Sequence, residues 1–426
     1  MIPALLDRAR LSTLVGKDSL GRASMLSALG SGAGRAAGLI AGLGAAAVLG
    51  SAEFGVFTYL TATAALISML GVLGFGPLVT RAVAAGPDTL EVRQIAAAVL
   101  LVTTALLAVA GCAVAAVASV TPIGMLHGSG LVAALLWALG LGTSTVVTAV
   151  LTGHRRFTVV TVLTVVRAVA SGSAVYAASV TTADAAVAAL AAGTAETLLA
   201  AVGVLVLIQR RYLATFPARL LCSRVTGLIT PAVSAGIAGL AIYGVGWLVQ
   251  ITLLLRPDGL AENGAFGLAC RLSLIGSFLP STLAGAAVPY LGRQSPPAAR
   301  ALARRIVRFG LGTATLVSLT LAAASPMLNE AFGPSYAGYA ATTALMACAS
   351  LTVSANALLS SVAVGLGRLR HWIVSDLVLA AVMAAAALVL VPALGASGAA
   401  ASHLISYAVS AAYLAVRLRS RAESQP

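Results

Sequence analysis

The chain has 426 residues, of which 60% are hydrophobic and only 9% charged, and it carries a formal net charge of +14. A water-soluble fold holds roughly a quarter charged residues. This composition cannot supply a polar skin, which argues against a soluble enzyme and a nucleic-acid-binding module alike. The mean hydropathy of +1.01 and long uncharged runs such as 96–118 and 378–391 point to an all-α integral membrane protein. A membrane β-barrel would alternate apolar and polar residues instead.

Residues 1–24 carry Asp7, Arg8, Arg10, Lys17, Asp18 and Arg22 with no continuous apolar stretch, unlike a cleavable signal peptide. Leu5, Leu6, Leu11 and Leu14 suit an amphipathic segment lying on the membrane surface. Spans of about twenty apolar residues are then predicted at 26–49, 55–77, 95–118, 130–152, 158–180, 184–208, 226–254, 265–288, 307–328, 337–363, 372–392 and 396–416. These about 12 transmembrane helices divide into an N-terminal six-helix bundle (25–209), a linker (210–225), a C-terminal six-helix bundle (226–418) and a tail (419–426). The short loops leave no room for an extramembrane catalytic module.

All but Lys17 of the 26 basic residues are arginine, and all but four of the 26 fall at the termini and in alternate loops on one side. Arg256 stands alone on the other side, and Arg35, Arg167 and Arg271 lie inside spans. The positive-inside rule places the Arg-rich side in the cytoplasm, with both termini there and the chain in the cell membrane.

The segment Ala52-Glu53-Phe54-Gly55-Val56-Phe57 recurs as Ala261-Glu262-Asn263-Gly264-Ala265-Phe266. Each copy opens a span that closes on P-x-x-x-R, at Pro77–Arg81 and Pro289–Arg293. A looser pair, Gly153-His154-Arg155-Arg156 and Gly367-Arg368-Leu369-Arg370-His371, follows spans four and ten. An even-numbered unit keeps both copies in one orientation, so the two bundles form a parallel repeat around a central cavity.

The A-E-x-G-x-F segments, the Gly-rich first helix and the paired Gly-Arg loops resemble the polysaccharide biosynthesis flippases. So do Phe332-Gly333-Pro334-Ser335-Tyr336 and Pro392-Ala393-Leu394-Gly395-Ala396-Ser397-Gly398-Ala399-Ala400. These form the Wzx-like branch of the multidrug, oligosaccharidyl-lipid and polysaccharide exporter superfamily. The resemblance covers nearly the whole chain. It implies two six-helix bundles around a V-shaped cavity, and transfer of an undecaprenyl-diphosphate-linked glycan from the inner to the outer leaflet. Glycosyltransferases and a polymerase are the further partners it implies. The chain is shorter at its C-terminus than the fourteen-helix lipid II flippases.

A charge inside a span is costly and asks for a reason. Arg35 lies off the stripe Gly30, Gly34, Gly38 and Gly42, whose spacing invites close helix approach. It either faces the cavity, where its planar fork suits a diphosphate, or snorkels to the interface. Arg167 and Glu196 are deep opposite charges on neighbouring spans, read either as a structural ion pair or as a coupling site with Glu196 the ion-coupling candidate. Arg271 either receives phosphate or snorkels outward. Asp376, the second ion-coupling candidate, is expected to pair locally with Arg370 or His371. Asn356 and Gln250 are candidates for the cavity lining or for helix-joining hydrogen bonds. Pro231 and Pro280 are candidate hinges or static bends, and Tyr59, Tyr243 and Tyr407 candidate sugar platforms.

The competing functions are a cation-coupled multidrug (MATE-like) exporter, which would favour acidic cavity residues, and a non-transporting scaffold of glycan synthesis. A membrane polymerase or ligase would be expected to carry a substantial outer loop with clustered charges. The four His and four Cys are scattered without metal-ligand spacing, and no phosphate-binding loop occurs. The expectation is therefore a non-enzyme with no cofactor and no metal.

Overall fold

The computed structural model describes residues 20–85, 89–120, 128–214, 218–291 and 296–420. The expected surface segment over residues 1–19, Arg293 of the second P-x-x-x-R and the side chain of Pro231 fall outside the described set. Among the described residues the regular structure is helical throughout, with no strand.

The helices are α1 (Leu20–Val72), α2 (Phe75–Ala85), α3 (Leu90–Val120), α4 (Ser129–Gly153), α5 (Phe157–Thr182), α6 (Ala185–Gln209), α7 (Ala218–Leu254), α8 (Gly259–Leu291), α9 (Pro296–Ala331), α10 (Ala340–Gly365), α11 (Leu369–Leu394) and α12 (Ala396–Ser420), with a 3₁₀ turn at Pro334–Tyr339. Eleven stretches are long and apolar enough to cross a membrane, and the first of them spans 41 residues. At 1.5 Å per residue that is about 60 Å, two bilayer cores rather than one. Gly50 divides it: with φ 71° and ψ 174° it is the one non-helical residue of α1. Its two arms are separate crossings joined by a single glycine, which brings the crossings to the expected twelve.

The helices of α1–α6 pack mainly on one another, as do those of α7–α12. The pairings match between the halves: α4 on α6 and α10 on α12, α5 on α6 and α11 on α12, the first arm of α1 on α5 and α7 on α11. The looser sequence pair forms one and the same closing turn. Arg156 N–H donates to Leu151 O and Arg155 N–H to Thr152 O, while Arg368 N–H donates to Ala363 O and Gly367 N–H to Val364 O. The left-handed position of this turn suits Gly367 (φ 74°) and is imposed on Arg155 (φ 57°).

The A-E-x-G-x-F copies meet face to face between the halves. A Cβ on Gly55 would overlap the Leu260 carbonyl, and one on Gly264 the Ser51 carbonyl. The same overlap read in both directions places a pseudo-twofold axis between the two glycines. Asn263 Nδ2 donates to Gly55 O across this contact (2.8 Å), and Phe54, Phe57, Ala265 and Phe266 are buried around it. The two glutamates also do equivalent work. Glu53 Oε2 accepts from Ala185 N–H at the start of α6 (3.1 Å). The Glu262 carboxylate lies against Gly395 at the start of α12. Each motif thus ties the second span of its half to the sixth through a helix N-terminus, where a carboxylate is favoured.

Some boundaries differ from expectation. The span expected at 55–77 is broken at Leu73 (φ 43°) and Gly74 (φ 83°), where Gly236 of α7 approaches the Leu73 carbonyl so closely that a Cβ would not fit. Such a break is tolerated where protein covers the backbone. The glycine stripe of α1 is not one seam either: Gly30 and Gly34 admit α5, Gly38 faces open space, and Gly42 seats the Arg271 side chain of α8.

Crowding the glycine contact overpacks a backbone-to-backbone site. Gly264→Val is expected to lower the apparent Tm of the purified protein in detergent by about 2–5 °C. Gly38→Val, at an open position, is expected to leave it unchanged.

Candidate functional site

Past the Gly55–Gly264 contact, the first arm of α1 runs beside α8 and the two border a half-open cavity of about 290 Å³. It is lined by Arg35, Gly38, Leu39, Arg271, Leu274, Ser277, Phe278 and Ser281. Arg35 reaches across from α1, its Nη1 donating to Ser281 Oγ (2.8 Å). Arg271 points back from α8. Its guanidinium carbon lies 4.6 Å from the Phe54 ring centroid and 5.6 Å from that of Phe57, and Nη1 donates to Gly267 O (3.3 Å). Arg271 therefore turns towards the interface between halves rather than snorkelling outward. Aromatic faces stabilise a cation without neutralising it. Among the described residues no acidic side chain lines the cavity, and neither arginine forms an ion pair. Two guanidinium groups thus share a space with two serine hydroxyls and no counter-charge.

One end of this cavity is closed by more than the glycines. The 3₁₀ turn of the C-terminal half docks on the Gly50 elbow of the N-terminal half. Ser51 N–H donates to Ser335 Oγ (3.2 Å) and the buried Tyr336 O–H donates to Ala46 O (3.2 Å). Asn329 holds the turn from behind, donating to Tyr336 O (2.9 Å) and accepting from Thr343 Oγ1 (2.8 Å). Arg256, alone among the basic residues at this end, donates to Glu262 Oε2 (2.8 Å) and to Val391 O (3.3 Å) and Pro392 O at the end of α11.

The other candidates lie apart. Arg167 and Glu196 do meet, with Nε 3.2 Å from Oε2, but inside the N-terminal half, beside a small recess lined by Ser144, Thr148 and Thr164. Asn356 is buried in the C-terminal half. Its Oδ1 accepts from Ser410 Oγ (2.9 Å), which lies 2.6 Å from Ser375 Oγ. Asp376 is buried next in sequence to Ser375. The expected pairing with Arg370 or His371 is absent: no basic side chain forms an ion pair with Asp376 among the described residues. Tyr59 is fully buried and stacks on Trp247 at 6.4 Å, so it offers no face to a sugar, whereas Tyr243 is half exposed.

Ser277, Phe278 and Ser281 went unread in the sequence. The signal was there: Arg271, Leu274, Phe278 and Ser281 recur at three- and four-residue steps and share one face of α8. Tyr336 stands in the Phe332–Tyr336 segment, but nothing in the sequence showed its partner, which lies 290 residues away.

A family model described as "Polysaccharide biosynthesis protein" matches residues 20–295. No curated protein matches the sequence. Among solved structures, an inward-facing multidrug resistance MATE family transporter of the MOP superfamily aligns with a TM-score of 0.66 and 14% identity, over 94% of this chain and 96% of that one. An outward-facing transporter of the same description aligns at 0.64 and 14% identity, over 95% and 96%. A Vibrio cholerae MATE transporter aligns at 0.59 and 16% identity, over 95% and 98%. At these identities the likeness is one of fold.

Removing one member of the Arg167–Glu196 pair strands a charge. Arg167 keeps 27% side-chain exposure, so Glu196→Ala is expected to cost less than the about 3–5 kcal/mol of a fully buried pair. Arg167→Ala/Glu196→Ala is expected to recover part of that loss, read by thermal unfolding of both variants in nanodiscs.

Proposed function

The chain belongs to the polysaccharide biosynthesis protein family, and on that premise we propose that it is an alternating-access transporter. Its cargo in this reading is a lipid-diphosphate-linked oligosaccharide, moved from the inner to the outer leaflet of the cell membrane for surface polysaccharide synthesis. The observation that carries the reading is the convergence of Arg35 and Arg271 on one cavity with no acidic residue in its lining among the described residues. Guanidinium forks and hydroxyls match phosphate oxygens in charge and geometry. A space of about 290 Å³ suits a diphosphate head, with the glycan extending beyond it.

The orientation follows from the charge census, with the Arg-rich loops and both termini in the cytoplasm. The Gly55–Gly264 contact then closes the outer end, and the cavity faces the side where the carrier lipid is loaded. Transport requires the two halves to part at that contact and close at the other end. Binding energy at Arg35 and Arg271, one on each half, is available to bias that exchange.

Drive is assigned to Asp376 rather than Glu196. Glu196 already has Arg167 as counter-charge. A buried carboxylate without a cationic partner calls for a cation or proton to neutralise it. The MATE-like fold keeps cation-coupled drug export as the competing reading, but a cavity with two arginines and no carboxylate repels a cationic drug.

Arg35→Ala and Arg271→Ala are each expected to insert normally and to cut export at least about tenfold, with lipid-linked precursor accumulating inside. Surface glycan at the normal level in both variants would remove the anion-cavity reading. A C-terminal green fluorescent protein fusion is expected to fluoresce and a C-terminal alkaline phosphatase fusion to be inactive; the reverse would invert the proposed direction.

A further inference from the structure

We propose that the start of α9 is a binding site for an anionic phospholipid of the leaflet on the Arg-rich side. Arg304, Arg305 and Arg308 border an open recess of about 580 Å³ completed by Ala301 and Phe309. All three arginines are exposed, and none forms an ion pair among the described residues. No Asp or Glu occurs in the sequence between Glu262 and Glu330. Three guanidinium groups within two helical turns therefore concentrate positive charge that the protein leaves unmatched.

These arginines also contribute to the positive-inside bias, but the helix that begins at Pro296 holds them in a fixed register. Arg305 also heads a single stripe. At 100° per residue, Phe309, Gly312, Leu316 and Leu319 follow it down one face of α9. Phe309, Leu316 and Leu319 are 54%, 69% and 60% exposed, and a side chain at Gly312 would meet nothing. A charged head over an open apolar track has the chemistry of a phospholipid: phosphate at the guanidinium forks, acyl chains along the stripe. Charge complementarity selects anionic over zwitterionic lipid. α9 packs on α8, the helix that carries Arg271 and Ser281, so a bound lipid would brace that helix from the membrane side.

The test is native mass spectrometry of the full-length protein in detergent, titrated with phosphatidylglycerol, cardiolipin or phosphatidylethanolamine. The expected result is at least tenfold tighter binding of the two anionic lipids than of phosphatidylethanolamine, with that preference lost in Arg304→Gln/Arg305→Gln/Arg308→Gln. Arg305→Gln alone is expected to weaken it severalfold, which keeps the test decisive should the triple variant fail to insert. Arg417→Gln/Arg419→Gln, at the end of α12, is expected to change nothing. Equal affinity for phosphatidylethanolamine, or an undiminished anionic preference in the α9 variants, would overturn the proposal. So would a polyprenyl diphosphate displacing the phospholipid from this site at equal concentration, since that would make it a landing place for the carrier instead.

Discussion

The molecule turns on a contact that has no side chains in it. Gly55 and Gly264 bring the backbones of α1 and α8 together so closely that any Cβ would strike a carbonyl of the opposite copy. Only a pair of glycines permits that approach. It fixes where the second and eighth crossings meet, and the rest of the interface follows. Asn263 gains a carbonyl to bond, Phe54 and Phe57 turn towards Arg271, and the first arm of α1 comes alongside α8 to make the cavity. Glu53 and Glu262, two positions before the contact glycine in each copy, extend its reach by fastening the sixth helix of each half to the same point.

Apart from the buried Asp376 carboxylate, the charged and amide side chains considered in the spans divide by place. Arg167 with Glu196, and Asn356 with Ser410 and Ser375, are satisfied within a half. They stiffen each half as a body. Arg35 and Arg271 lie between the halves, where their partners are hydroxyls, a carbonyl and aromatic rings. That division suits the rocking transport proposed for the chain: rigid polar cores inside each half, and unneutralised charge at the boundary where the proposed anionic cargo would supply the missing sign.

Much of this was legible in the sequence, because two signals are nearly one-dimensional. Alternating arginines report topology regardless of packing, and Glu53-x-Gly55 with Glu262-x-Gly264 reports the repeat. Depth and company are three-dimensional. The stripe Gly30 to Gly42 suggested one continuous helical seam, but only Gly30 and Gly34 meet a helix, and Gly42 meets a guanidinium side chain instead. Span two ran apolar through Leu73 and Gly74, and nothing local shows that Gly236 would press on the chain there. Asp376 sits within six residues of Arg370 and His371, yet it forms no ion pair with either among the described residues. The cavity was half visible: its charges were found, and the serines beside them were passed over for lack of charge.

Gly50 makes the first two crossings a lever with a one-residue fulcrum. A flexible loop between two helices would absorb motion, whereas a lone glycine clamped by Ser335 and Tyr336 passes it on. At 1.5 Å per residue, Arg35 stands about 22 Å down the arm. A tilt of about 10° at the elbow would sweep its guanidinium through about 4 Å, more than the reach of its bond to Ser281. In the proposed transport cycle, the gearing between closure at the Gly55–Gly264 end and grip at Ser281 would be set by the length of helix between a glycine and an arginine.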